Sequence, residues 1–227
     1  MADMRARVAV IGGTGPLGGG LALRWAAAGI EVIVGSRSAD RAVQEAASLA
    51  ERLRAIGRGR APWGAANPAA AAAAEVIVLA VPFAAQAATL DEIRDAVAGK
   101  VLIDAAVPLD PHRLWHVEPP PAGSAAAEAQ ARLGDRVRVV CAFQNVAASR
   151  LWKLDVEVDC DVLVCGDDDQ AKRITLDLVE AAGLRGFDAG PLDNAGVVDG
   201  LTAILNWINR RAKLHDAGIR ITGGASR

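Results

Sequence analysis

Residues 7–25 read RVAVIGGTGPLGGGLALRW, from Arg7 to Trp25. The stretch opens as an apolar β run, Arg7 to Gly12. It turns through glycines and continues as a helix predicted over Pro16 to Ala28, stopped by Gly29. Within it, Gly13-x-Gly15-x-x-Gly18 has the spacing of a dinucleotide-binding turn, and a second apolar strand, EVIVGS (Glu31 to Ser36), follows within about thirty residues. In such a turn Gly13 allows the tight bend, Gly15 lets backbone approach a pyrophosphate, and Gly18 lets the helix lie close to the strand. Unbonded N–H groups at the helix start then face the phosphates, and Pro16 fits where a missing N–H costs little. The loop Gly13, Thr14, Gly15, Pro16, Leu17, Gly18 is therefore the expected phosphate cradle.

The second strand ends in GSRS rather than on an acid. A carboxylate there would accept from a ribose 2′-hydroxyl and would repel a 2′-phosphate. Ser36 offers a hydroxyl and Arg37 a planar fork of donors matched to phosphate. Arg41, one helical turn on, adds a second cation. These three residues predict NADP rather than NAD.

Outward from this unit the chain alternates Val/Ile/Leu runs with alanine-rich stretches. EVIVLAVP (Glu75 to Pro82), KVLIDAAVP (Lys100 to Pro108) and RVRVVCAF (Arg136 to Phe143) read as strands buried on both faces. The predicted fold is α/β: a Rossmann-type doubly wound parallel sheet with a small C-terminal α/β portion. Residues 1–149 form the expected NADP-binding domain and 150–227 the smaller domain. Gly57, Gly59, Pro62 and Gly64 read as an irregular connection, and Asp110 to Gly123 as a Pro-rich loop. A last helix, about Asn194 to Lys213, shows an apolar face at Leu201, Ile204, Leu205 and Ile208. Trp207 is assigned mainly to core packing.

Bulk composition narrows the function. The 227 residues are 52% hydrophobic and 23% charged with net charge −2, which argues against disorder and against a nucleic-acid footprint. Cys141, Cys160 and Cys165 read as buried free thiols of a cytoplasmic protein. The apolar zone Ala69 to Ala88 is interrupted by Glu75 and Pro82, so no membrane span is expected. His112 and His116 would share a face on a helix, but no third ligand accompanies them and no metal is expected.

Ligands of such sheets lie past the carboxyl ends of the strands. Ala80, Val81 and Pro82, with Ala106 and Val107, are expected to meet the cofactor. Phe83, Pro108, Gln144 and Asn145 are expected to line the second substrate. Apart from Asp104, inside its strand, this rim carries no acid or base. Carbonyl reduction needs a proton donor at the developing alkoxide, whereas hydride transfer between two flat rings needs mainly stacking and orientation. The rim suits the second task, with no catalytic side chain.

IGGTGPLGGGLALRWAAAG, VGSRS, VLAVP, CDVLVCGDDDQAK, DAGPLDNA, LTAILNWINRR and GIRITG together resemble the NADPH-dependent coenzyme F420 reductases, over nearly the whole chain. The resemblance implies a homodimer that transfers hydride between NADP(H) and a deazaflavin, with NADP contacts at Thr14, Ser36 and Arg37. It implies that the deazaflavin stacks on the nicotinamide beside the strand ends. Three segments depart from the family pattern: Phe83 with Gln86, Gln144, and the run Asp104 to Pro108. Two other readings stay open on that account, reduction of a different ring (flavin or pterin) and a non-catalytic NADP(H) sensor.

Overall fold

The computed structural model describes residues 6–223. Its first half runs β1 (Val8–Ile11), α1 (Pro16–Ala27), β2 (Val32–Ser36), α2 (Ala39–Ala55), β3 (Trp63–Ala66), α3 (Asn67–Ala73), β4 (Val76–Leu79), α4 (Phe83–Ile93) and β5 (Val101–Asp104). Then follow β6 (Leu109–Asp110), β7 (Arg113–Val117), α5 (Ala125–Leu133), β8 (Arg138–Cys141), α6 (Ala148–Leu151), β9 (Asp161–Gly166), α7 (Asp169–Ala181), β10 (Arg185–Asp188) and α8 (Ala195–Ala212). Eight strands form one sheet in the order β3-β2-β1-β4-β5-β8-β9-β10. Every neighbouring pair is parallel except β8 and β9.

The unbroken Val/Ile/Leu runs have their physical reason in this sheet. Val8, Val10, Val34, Val78 and Ile103 face one way, onto Leu21 and Trp25 of α1, Leu49 of α2 and Leu178 of α7. Ala9, Ile11, Ile33, Ile77 and Leu102 face the other way, onto α3, α4, α5 and Val198 of α8. With helices on both faces, neither face needs polar residues. The helix starts are capped locally: Ser124 Oγ accepts from Ala127 N at 3.0 Å, and Asp168 Oδ1 from Ala171 N at 2.7 Å.

Three expectations are corrected. The connection around Gly64 contains the edge strand β3. Its WGAA sequence lacks β-branched residues, and a Cβ on Gly64 would lie 2.2 Å from the Ala42 backbone carbon, so the glycine lets α2 lie against the strand. The Pro-rich loop contains the hairpin β6–β7, with His112 at its turn and His116 on β7, so the two histidines share no helix face. Trp207 is not core: it is 46% exposed and lies against Trp115, centroids 5.6 Å apart and rings tilted by 58°. Within the glycine turn, Gly12 takes the left-handed conformation (φ +83°).

The segment after Asn145 is held onto α1. Trp152 Nε1 donates to Pro16 O at 2.8 Å, and its ring lies where a Cβ on Gly19 would stand, at 2.7 Å. Arg24, 7% exposed, reaches from α1 into that segment. Its Nε donates to Leu151 O (2.9 Å), Nη1 to Ala182 O (3.0 Å), and Nη2 to Lys153 O (2.8 Å), Arg150 O (3.2 Å) and Val156 O (3.3 Å). All three cysteines are free and buried; Cys160 and Cys165 pack on opposite faces of the sheet. No helix among the described residues is long and apolar enough to cross a membrane.

Candidate cofactor and acceptor site

The glycine turn is tight on every side. Gly12 N and Gly13 N both donate to Gly35 O, and Gly15 N donates to Gly12 O at 2.9 Å. A Cβ on Gly12 would stand 2.5 Å from Ala80 O, on Gly13 2.8 Å from Val10 O, and on Gly18 2.5 Å from Gly12 O. Bare backbone therefore joins β1, β4 and α1. Gly15 caps α1 without a side chain, leaving the first-turn N–H groups free to meet an anion.

Above this turn lies a cleft of about 460 Å³ lined by Gly12, Thr14, Gly15, Ser36, Arg37, Ser38, Arg41, Asn67, Ala80, Val81, Pro82, Ala85 and Thr89. Of the residues expected at the cofactor, the cleft gathers Thr14, Gly15, Ser36, Arg37, Arg41, Ala80, Val81 and Pro82. Gly13, Pro16, Leu17 and Gly18 form the turn and helix start beneath it, while Ala106 and Val107 lie outside it at the end of β5. Ser36 is nearly buried, with Oγ accepting from Ser38 N at 3.3 Å. Arg37 and Arg41 are exposed on the cleft rim. The cleft thus offers backbone donors at one place and two guanidinium groups at another, a fit for a nucleotide with a pyrophosphate and a further phosphate.

Of the expected acceptor residues, Gln144 meets Asp104, where Gln86 and the Ala106 backbone also converge. Gln86 Nε2 donates to Asp104 Oδ2 (2.5 Å), Ala106 N to Asp104 Oδ1 (3.0 Å), and Gln144 Nε2 to the Asp104 backbone oxygen (2.8 Å). Burial pushes the Asp104 carboxyl up to about 7, and nearby Asp199 adds to the rise; the Ala106 N–H and Gln86 oppose it. Burial likewise raises Asp199 to about 7. Phe143, just past β8, adopts φ +77° and stands edge-on to Trp25, centroids 5.8 Å apart. That left-handed step is costly for a bulky residue and turns the chain at the strand end. Next come Gln144 and Asn145, 7% and 6% exposed. Gln144 Oε1 and both polar side-chain atoms of Asn145 have no partner. Thr202 of α8 donates to Gln144 O at 3.0 Å, which fixes the C-terminal helix to this corner.

Sequence reading missed Gly12, Ser38, Asn67, Ala85 and Thr89 in the cleft, and the clamp of Gln86 on Asp104. Asn67-Pro68 carried a signal of a helix start, without a hint of the cleft.

This is a dinucleotide-binding oxidoreductase of the Rossmann type. The family profile described as "NADP oxidoreductase coenzyme F420-dependent" matches residues 7–108. The chain is 44% identical over 228 residues to an F420-dependent NADP reductase of Methanothermobacter thermautotrophicus, across 95% of this chain and 94% of that one. It is 36% identical to another of Methanocaldococcus jannaschii, across 95% and 98%. A crystal structure proposed to be an F420-dependent NADP-reductase, from Arthrobacter sp. FB24, superposes with TM-score 0.79 at 25% identity, over 96% of this chain and 100% of that one. The chain belongs to the family of coenzyme F420-dependent NADP oxidoreductases.

Proposed function

We propose that the protein transfers hydride between NADPH and coenzyme F420, holding the two rings face to face without a side-chain acid or base. The carrying observation is the cleft that joins the glycine-bounded helix start to Ser36, Arg37 and Arg41, in a chain of this family. When bound, the nicotinamide supplies the hydride. The first turn of α1 binds the pyrophosphate, and Ser36 with Arg37 binds the 2′-phosphate. Val81 and Pro82, with Ala106 and Val107, exclude water beside the nicotinamide. Phe83, Pro108, Gln144 and Asn145 hold the acceptor. The unpartnered Oε1 of Gln144 and amide of Asn145 support that role, since buried polar groups without internal partners are costly unless a ligand or water meets them. Asp104 has no exposed surface and its two oxygens are already engaged, so it positions Gln86 and Ala106 rather than meeting substrate.

Purified protein should oxidise NADPH when given coenzyme F420, bleaching both chromophores, with little rate from NADH. Absence of turnover with F420 in either direction would sink the assignment. Turnover with a flavin or pterin in its place would support the second reading, which Gln86 and Gln144 favour because both turn inward onto Asp104. Tight NADPH binding with no turnover on any ring would leave the sensor.

We further propose that residues 150–227 complete the acceptor site through Thr202 and carry the contact of a cytoplasmic homodimer. Val197, Ile204 and Ile208 form an exposed stripe on α8, beside Trp207 and Leu114 (38–69% exposed). A second copy covering this stripe would bury it. Light scattering should then give about twice the 23.4 kDa chain mass; a monomer across the working concentration range would exclude the contact.

A further inference from the structure

One buried side-chain oxygen in the cleft has no partner among the described residues. Asn67 is 2% exposed, and among the described residues its Oδ1 is the only unpartnered buried side-chain oxygen lining the cleft. The orientation of its amide follows from chemistry. Nδ2 donates to Glu92 Oε2 at 3.1 Å, and an ionised carboxylate can only accept. Oδ1 is thereby turned to the Gly35 side, where a Cβ built on that glycine would lie 3.3 Å from it. Of the other hydroxyls of the cleft, those of Ser36 and Ser38 accept from backbone N–H groups and that of Thr89 donates to Ala85 O, while Thr14 belongs to the glycine turn.

The position of Asn67 says what it waits for. Ala66 is the register partner of Ser36 across β2 and β3, so Asn67 stands at the same carboxyl edge as Arg37, one strand further from the glycine turn. A phosphate held by Ser36 and Arg37 brings its ribose to this edge, and the base on that ribose extends towards β3. Val81 and Ala85 form an apolar wall on the α4 side. An acceptor oxygen has nothing to offer a phosphate, because both would accept. It needs a donor, and the outermost donor on the adenosine half of NADP is the 6-amino group of adenine.

We propose that Asn67 is a specificity-determining residue that reads the adenine base of NADP(H), with Oδ1 accepting from the 6-amino group and Glu92 fixing the amide in that sense. The inference rests on the NADP(H) site proposed above. It separates two tasks: Arg37 reads the 2′-phosphate, Asn67 reads the base.

The test is equilibrium binding, followed by nucleotide fluorescence, of NADPH and of its deamino analogue, whose hypoxanthine carries an oxygen in place of the amino group. Oxygen facing oxygen replaces a hydrogen bond by a repulsion. Wild-type protein is expected to bind NADPH about tenfold more tightly than the analogue. Asn67→Ala is expected to bind the two within about twofold, having neither the bond nor the repulsion. Glu92→Ala, a change at an exposed residue, is expected to shrink the preference, since the amide is then free to turn its Nδ2 to the hypoxanthine oxygen. Equal binding of both nucleotides by the wild type overturns the proposal without any variant. A full preference retained by Asn67→Ala overturns it as well. Binding of neither nucleotide by the wild type overturns the NADP(H) reading along with it, and is distinguishable from equal binding of both.

Discussion

Arg24→Met is expected to destabilise the protein by about 3–4 kcal/mol, read as a lower urea midpoint at unchanged slope. Methionine keeps the apolar stem and much of the volume, so little packing is lost. What disappears is one buried cation that five backbone carbonyls share. Leu151 O and Ala182 O lose their side-chain donor in a buried place, and each such loss costs about 1–3 kcal/mol. The carbonyls of Arg150, Lys153 and Val156 lie nearer solvent and recover part of the loss from water. Lysine at this position carries charge without the planar fork and should recover only part. A destabilisation below about 1 kcal/mol would show that the five carbonyls do not depend on the guanidinium.

The same substitution has a functional reach. Arg24 fastens residues 150–156 onto α1, and Trp152 of that segment donates to Pro16 O in the first turn of the helix. A loosened segment leaves the phosphate-facing end of α1 less constrained. NADPH affinity should therefore fall with stability in Arg24→Met, although the side chain lies away from the cleft.

Those contacts explain which parts of the protein could be read from the sequence. The sheet was legible because parallel strands covered on both faces must be continuous apolar runs, a pattern that Val8–Ile11, Val76–Leu79 and Val101–Asp104 carry in a few residues. β3 carries no such pattern, since its place depends on the missing Cβ of Gly64 against α2, a contact between residues distant in the chain. The hairpin β6–β7 was hidden by its prolines and by its small size, and Trp207 by a periodicity that also fits a helix leaving one stripe exposed.

The proposed site divides along similar lines. Its nucleotide half depends on short local grammar: glycines at fixed spacing, then Ser36 and Arg37 at the end of the next strand. The acceptor half depends on convergence, with Gln86 from α4, Asp104 from β5 and Gln144 from the turn after β8 meeting across the sheet order. No spacing in the sequence encodes that meeting. Gln86 and Gln144 could be marked as departures from a family pattern, but not as partners of one buried aspartate. Asn67 was overlooked for the same reason: β3 had to be placed beside β2 before its side chain could be set in the cleft.

Arg37→Ala is expected to lower kcat/KM for NADPH by about 2 kcal/mol, roughly thirtyfold, while the value for NADH hardly changes. The guanidinium stands exposed on the cleft rim, one residue past β2, so its removal leaves no cavity and uncovers no core. Stability should stay within about 0.5 kcal/mol of wild type, which separates a lost contact from a lost fold. Arg41 remains as a second cation and limits the loss: a phosphate near it keeps a favourable field but no bidentate fork. Raising the salt concentration should therefore narrow the gap between wild type and variant, as an exposed charge contact is screened. Equal losses for NADPH and NADH would show that Arg37 does not distinguish the 2′-phosphate, and the preference would then have to come from Ser36 and Arg41. A loss confined to NADPH, in a protein whose adenine preference at Asn67 is unchanged, would establish that the two ends of the adenosine are read by separate residues.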